Sequence, residues 1–266
     1  MTHILHPNVA GIFYPADPRT LATAVRDYVQ AARPGPAAQA GPRPKALIVP
    51  HAGYVYSGPV AGSAYARLQD EVGDIRRVLL LGPSHRLPFQ GLAYSQAEAF
   101  LTPLGPVSLD LAAYAPLADL PQVRHYEAPF QGEHCLEVQL PFLQWLLEDF
   151  RLVPFLVGEA SATEVAEVLE RLWGGEETLI VVSSDLSHYL DYASARRLDA
   201  ITGQAIADLK PEAIADDQAC GHNPVRGLLK AARHHGLHGQ ILDLRNSGDT
   251  AGPRHRVVGY GAFALA

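Results

Sequence analysis

Three histidines stand directly after apolar runs: His51 in Pro50-His-Ala-Gly-Tyr-Val-Tyr-Ser-Gly58, His85 in Gly82-Pro-Ser-His85, and His188 in Ser183-Ser-Asp-Leu-Ser-His188. In the last of these Asp185 lies three residues ahead of the histidine. Imidazole is the commonest metal ligand and the side chain that titrates near neutrality. One such histidine would be read as a turn residue bonded to backbone; three in the same setting, beside small residues, point to a shared site. Two imidazoles plus one anionic ligand, with coordination positions left open, is the pattern of a mononuclear Fe(II) site that takes substrate and dioxygen. The anion is either Asp185 or the Cys220 thiolate. Glu133 and His134 come just ahead of an apolar helical pattern, where a helix start can orient a catalytic side chain, and Glu137 reads as a cap. Cys220, in Ala219-Cys-Gly-His-Asn-Pro224, is core packing or a metal ligand. The local signatures C-x-x-C, H-E-x-x-H, G-x-S-x-G, the phosphate-binding P-loop and G-x-G-x-x-G are all absent. His3, His6, His234, His235, His238 and His255 lie in terminal or polar segments and read as solvated.

Elements able to position such a set follow from the apolar pattern. Residues 46–49, 78–81, 152–157, 178–182, 240–244 and 257–263 read as strands, several apolar throughout, as expected when helices cover both faces of a sheet. Helical patterns fall at 18–32, 59–70, 137–149, 162–174, 192–208 and 222–235, with Ser161 and Thr163 as N-cap signals and Gly236 as a stop. The alternation predicts an α/β fold: one sandwich domain over residues 1–266 with a mixed, largely parallel central sheet covered by helices. The last two strands should be antiparallel, because Asn246–Pro253 leaves no room for a crossover helix. Ligands then belong at the carboxyl ends of the strands, where the three histidines stand. Residues 32–44, with four prolines and two glycines, read as a surface loop.

The chain has 266 residues, 48% hydrophobic and 18% charged, and a net charge of −7 with no basic tract, which argues against nucleic acid or anionic membrane as a partner. No apolar run has the length of a membrane span and the start lacks signal-peptide character, so a cytoplasmic location is expected. Two cysteines, Cys135 and Cys220, are too few for a disulfide framework.

The motifs together, with Glu133-His-Cys-Leu-Glu-Val-Gln-Leu-Pro-Phe142, Cys220-Gly221 and Ser247-Gly-Asp-Thr250, resemble the Memo family, from about His6-Pro-Asn-Val-Ala-Gly-Ile-Phe-Tyr14 to the C-terminus. Memo proteins in turn resemble the class III extradiol ring-cleaving dioxygenases, whose non-haem Fe(II) is held by two histidines and a glutamate. Carried over, the resemblance implies His51, His85 and Cys220 as metal ligands, with Cys220 in the place of the carboxylate. It implies His188 as the acid/base residue, oriented by Asp185, whose charge would raise its pKa. His134 is a further catalytic candidate, and Tyr54, Tyr56, Glu133 and His222 are expected to face the substrate. The implied cofactor is Fe(II), with Cu or Zn as alternatives because a thiolate is softer than a carboxylate. Cys135 stands where the family motif has a small hydroxyl residue; it reads as a buried small hydrophobe or a thiol able to oxidise with Cys220. The implied function is a dioxygenase-like oxidoreductase acting on a small, aromatic molecule. The alternatives are a non-enzymatic iron- or copper-handling protein, a module capturing a peptide or phosphorylated ligand, and a metal hydrolase using Asp185 and bound water. The AmmeMemoRadiSam type of this family implies a functional link to a radical-SAM protein and a small companion protein.

Overall fold

The computed structural model describes residues 3–32, 42–69 and 72–266. In chain order the strands are β1 (Ile4–Leu5), β2 (Ala46–Val49), β3 (Arg77–Pro83), β4 (Leu92–Tyr94), β5 (Ala99–Thr102), β6 (Gly105–Ser108), β7 (Val123–His125), β8 (Arg151–Val157), β9 (Thr178–Ser183), β10 (His188–Leu190), β11 (Gly239–Asn246) and β12 (Val257–Leu265). The α-helices are α1 (Pro18–Ala31), α2 (Tyr54–Ala66), α3 (Leu140–Leu146), α4 (Ala162–Leu172), α5 (Tyr192–Ala207), α6 (His222–His234) and α7 (Ser247–Thr250).

The main sheet runs β10-β12-β2-β9-β3-β8-β4-β7, with β11 also paired to β12. Its centre, β2-β9-β3-β8, is parallel, with Ala46 opposite Ile180 and Leu79 opposite both Ile180 and Val153. Antiparallel pairs flank that centre, β12 on β2 and β4 on β8, and β11 and β12 form the expected antiparallel pair. Strands β1, β5 and β6 make a small separate sheet.

Near-continuous apolar strands are explained by what lies on each face. Leu47, Val49, Val78, Leu80 and Val181 pack with α1, α2 and α3, whereas Ile48, Leu79, Leu81, Ile180 and Val182 pack with α4, α5 and α6. Helix boundaries follow local chemistry. Ser161 caps α4 in a reciprocal box, its Oγ accepting from the Glu164 amide (3.2 Å) while Glu164 Oε2 accepts from the Ser161 amide (2.8 Å). Thr163 lies inside the first turn and instead accepts a bond from Lys230 Nζ. Gly236, at φ 70°, ends α6. Helix α2 starts earlier than the apolar pattern suggests, at Tyr54, because Gly53 serves as its N-cap and Pro59 is accommodated inside it. The pattern over 137–149 resolves into a 3₁₀ turn at Glu137–Gln139 and the short α3, which stops where Leu147 becomes extended. The proline-rich loop lies mostly in 33–41, outside the described residues. Among the described residues, no helix is long and apolar enough to cross a membrane.

Candidate metal centre

The parallel strands β2, β3 and β9 end on one side of the sheet, and the chain leaving each contributes to a single cluster. His51 follows β2, is 2% exposed, and donates its backbone N–H to Asp185 Oδ1 at 2.8 Å. Its tautomer is fixed by hydrogen-bond accounting at Ser183, the last residue of β9. The single Ser183 hydroxyl proton goes to the Cys135 carbonyl (2.6 Å), so its Oγ can only accept from Gln139 Nε2 (2.8 Å) and His51 Nδ1 (3.0 Å). The Gln139 amide cannot turn over, because its Oε1 accepts from the Tyr65 hydroxyl and its Nε2 also donates to the Pro50 carbonyl. His51 therefore carries its proton on Nδ1 and presents a bare Nε2. Burial, with the nearby His85 and His134 rings, holds its pKa well below the usual imidazole value and keeps the ring neutral.

A second support is Glu133, 5% exposed. Burial alone would raise its pKa, but bonds from the His85 ring, the His85 amide and the Cys135 amide outweigh that and hold the carboxyl at about 2. As an ionised carboxylate it only accepts: from His85 Nδ1 at 3.0 Å, His85 N at 2.7 Å, His134 N at 2.8 Å and Cys135 N at 3.0 Å. His134 Nδ1 lies 3.3 Å from the same Oε1. His85 and His134 stack with centroids 5.0 Å apart, and His51 meets both edge-on at 5.1 and 5.5 Å. One ring nitrogen from each of the three lies within 4.8 Å of the others. In His51 and His85 the Nδ1 side is tied to a hydroxyl and a carboxylate respectively, the arrangement metal-ligating histidines adopt.

Cys220, in the loop before α6, stands beside His51 but outside the three-histidine cluster. Its Sγ lies 3.3 Å from His51 Nε2 and accepts from the Asp185 amide at 3.3 Å. Gly221 makes this approach possible, since a Cβ there would come within 2.8 Å of the Ser184 side chain. Burial and the Asp185 charge push the Cys220 thiol up, so an incoming cation would have to displace its proton. The residues present thus fit a transition-metal ion: pre-oriented imidazoles with a soft sulfur beside one of them, His51.

His51, His85, His134, Asp185 and His188 line a cavity of about 650 Å³, and Cys220 and Glu133 lie outside that lining. Phe13, Tyr56, Tyr189 and Tyr260 form aromatic walls, with Ile12 and Val55 exposed at the rim. His188 Nδ1 donates to the Leu186 carbonyl at 2.8 Å, leaving Nε2 as an acceptor. Burial lowers its pKa below 6.5, against that hydrogen bond. Asp185 is engaged with the His51 amide, and burial raises its carboxyl to about 7. The orientation of His188 is thus set by a backbone carbonyl rather than by Asp185, and its pKa moves in the opposite direction to the one a carboxylate partner would cause.

Of the residues expected to face substrate, Tyr56 lines the cavity and three do not. Tyr54 is buried in the core with its hydroxyl on the Val138 carbonyl. Glu133 sits behind the histidines, and His222 is turned away with Nδ1 on the Ala219 carbonyl. Cys135 is fully buried, its thiol donating to the Pro83 carbonyl, and both cysteines are free. The supports Ser183, Gln139 and Tyr65 were not singled out in the sequence; Ser183 and Gln139, each inside a histidine-bearing motif, carried a local signal, and Tyr65 carried none. Phe13, Tyr189 and Tyr260 likewise emerge only from the structure, Tyr189 through its left-handed φ of 62° beside His188.

A family model described as "Memo-like protein" matches residues 6–264. Proteins named "MEMO1 family protein" from Archaeoglobus fulgidus, Ignicoccus hospitalis and Aquifex aeolicus are 37, 35 and 35% identical to the chain, over 98, 96 and 97% of it and the same shares of each relative. Among solved structures, an uncharacterized protein, JW3007, from Escherichia coli K12 matches with a TM-score of 0.50 at 12% identity, covering 83% of this chain and 99% of that one, a likeness of fold alone.

Proposed function

The chain belongs to the Memo-like protein family, and from that premise we propose that its cavity holds one redox-active transition-metal ion, Fe(II) in the first instance, for oxidation of a small aromatic molecule. The observation that carries this reading is the convergence of His51, His85 and His134, with the Nδ1 of His51 bonded to Ser183 and that of His85 to Glu133, and Cys220 Sγ beside His51. His51 and His85 with Cys220 form the ligand set in this reading, and His134 lies close enough to replace or join Cys220. An iron ion so held would supply a centre at which substrate and dioxygen meet.

The protein's own groups do the rest. The rings of Phe13, Tyr56, Tyr189 and Tyr260 offer faces against which a flat substrate packs. His188, neutral near pH 7 and with Nε2 unprotonated, accepts the proton of a substrate hydroxyl and later returns it. Among the described residues no lysine or arginine lines the cavity, so a phosphorylated ligand would find no counter-charge in its lining. That favours a metal and a neutral or weakly acidic substrate over phospholigand capture. A second reading, handling of copper without turnover, draws on Cys220, whose sulfur suits Cu(I) better than a carboxylate would.

The deciding measurement is the metal content of protein prepared without oxygen and offered Fe(II), Cu(I) and Zn(II) in competition, wild type beside H51A and C220S. We expect an equivalent of iron that H51A lacks, and oxygen consumption with catechol-like compounds. Preference for copper without oxygen uptake would select the handling reading, and a stoichiometry unchanged in H51A would remove the cavity as the metal site.

A further inference from the structure

The geometry points to a second metal site, remote from the cavity, in which Glu170, His234 and His235 bind one divalent transition ion. In the sequence these two histidines read as solvated, and both are exposed, His234 with 76% of its side chain and His235 with 30%. The His235 ring lies flat on Trp173, with centroids 3.8 Å apart and planes 3° from parallel, so its nitrogens point in a set direction. Glu170 receives both rings, Oε1 at 2.9 Å from His234 Nδ1 and Oε2 at 2.8 Å from His235 Nε2. The three ligand atoms lie within 4.8 Å of one another.

Two elements bring them together. Glu170 is on α4, and the histidines sit where α6 ends. The helices pack closely because Gly227 of α6 faces Val165 of α4, where a Cβ would come within 2.3 Å of the valine side chain. A tetrahedral ion with bonds of about 2.0 Å places neighbouring donors roughly 3.3 Å apart. The 2.9 and 2.8 Å contacts run to different carboxylate oxygens, and one oxygen with the two nitrogens lies within 4.8 Å, so these side chains close on a shared ion by at most about 1.5 Å. On binding, the proton each imidazole shares with Glu170 moves to its other ring nitrogen, and the facing nitrogen takes the ion. Carbonyls at the end of α6 add a favourable field for a cation. Two imidazoles and a carboxylate with outer positions open to solvent suit Zn(II), Ni(II) or Cu(II), and the ion would tie α4 to α6.

This site goes beyond the cavity reading and is tested separately from it. Zn(II) alone is titrated into intact wild type, H235A, E170Q and H51A/H85A, with bound metal measured by equilibrium dialysis. The expected result is one equivalent fewer in H235A and in E170Q than in wild type, and an equivalent retained by H51A/H85A that disappears when H235A is added. Equal stoichiometry in wild type and H235A would overturn the proposal, and this comparison decides even where H51A/H85A does not fold. Failure of the cavity reading shows differently, as no loss of metal in H51A.

Discussion

At the scale of residues, the chemistry of this protein depends on which nitrogen of each imidazole carries its proton, and that is decided by neighbours rather than by the histidines themselves. Ser183 is the clearest case. Replacing it by alanine removes one of the two acceptors of the Gln139 Nε2 group and the hydroxyl donor to the Cys135 carbonyl, and lets His51 change tautomer. We expect S183A to bind metal about 10- to 100-fold more weakly and to lose about 1–3 kcal/mol of stability, read by metal titration and by urea unfolding of the metal-free protein. A loss of stability with metal affinity intact would show that Ser183 serves only the core. His188 makes a different prediction, because it touches no other member of the cluster by hydrogen bond. H188A should keep its metal while turnover falls about 10²- to 10⁴-fold, and full turnover in that variant would refute its role as the base. The histidines were legible in the sequence because each follows a strand end or opens a helix. The supporting roles of Ser183, Gln139 and Tyr65 were not, since these residues act through one another from distant points of the chain.

At the scale of elements, helix packing sets the frame. Helices α1 and α2 touch at Gly62, where a Cβ would lie 2.5 Å from the Tyr28 carbonyl oxygen, a backbone atom that cannot swing aside. Alanine has the better helix propensity by about 1 kcal/mol, yet G62A is expected to lower stability by about 1–3 kcal/mol because the helices must separate. A urea midpoint that rises in G62A would show that the contact yields. The helices α1, α4, α5 and α6 could be read from their apolar spacing and caps. The segment between β3 and α3 could not, because its strands β4 to β7 have three or four residues each, too short to show a period, and depend on pairing with β8 and β1 for their form.

For the whole molecule, burying neutral histidines couples folding to pH. His51, His134 and His188 all have pKa values lowered by burial. The unfolded chain takes up protons at these positions below about pH 6.5, while the native state does not until lower pH. Their contribution is therefore complete above about 6.5 and is lost as pH falls, with a slope of up to about 1.4 kcal/mol per pH unit for each. Glu133, held at about 2, adds a further loss below its unfolded value. Asp185, whose carboxyl burial raises to about 7, works in the other direction and offsets part of this loss; with three histidines against it, unfolding midpoints of metal-free protein should fall from about pH 6.5 to 5, and a flat profile there would contradict this burial. By itself the amino-acid sequence determined the α/β class, the parallel centre of the sheet, the antiparallel last pair and the residues gathered at the strand ends. These follow from periods of two and 3.6 residues and from where loops must leave a parallel sheet. Only the tertiary structure decided that His134 joins His51 and His85, that Glu133 stands behind them, that Tyr54 and His222 turn away, and that His235 lies on Trp173 facing Glu170. Such placements depend on strand register and helix docking, which are set by contacts between residues far apart in the chain and leave no period in it.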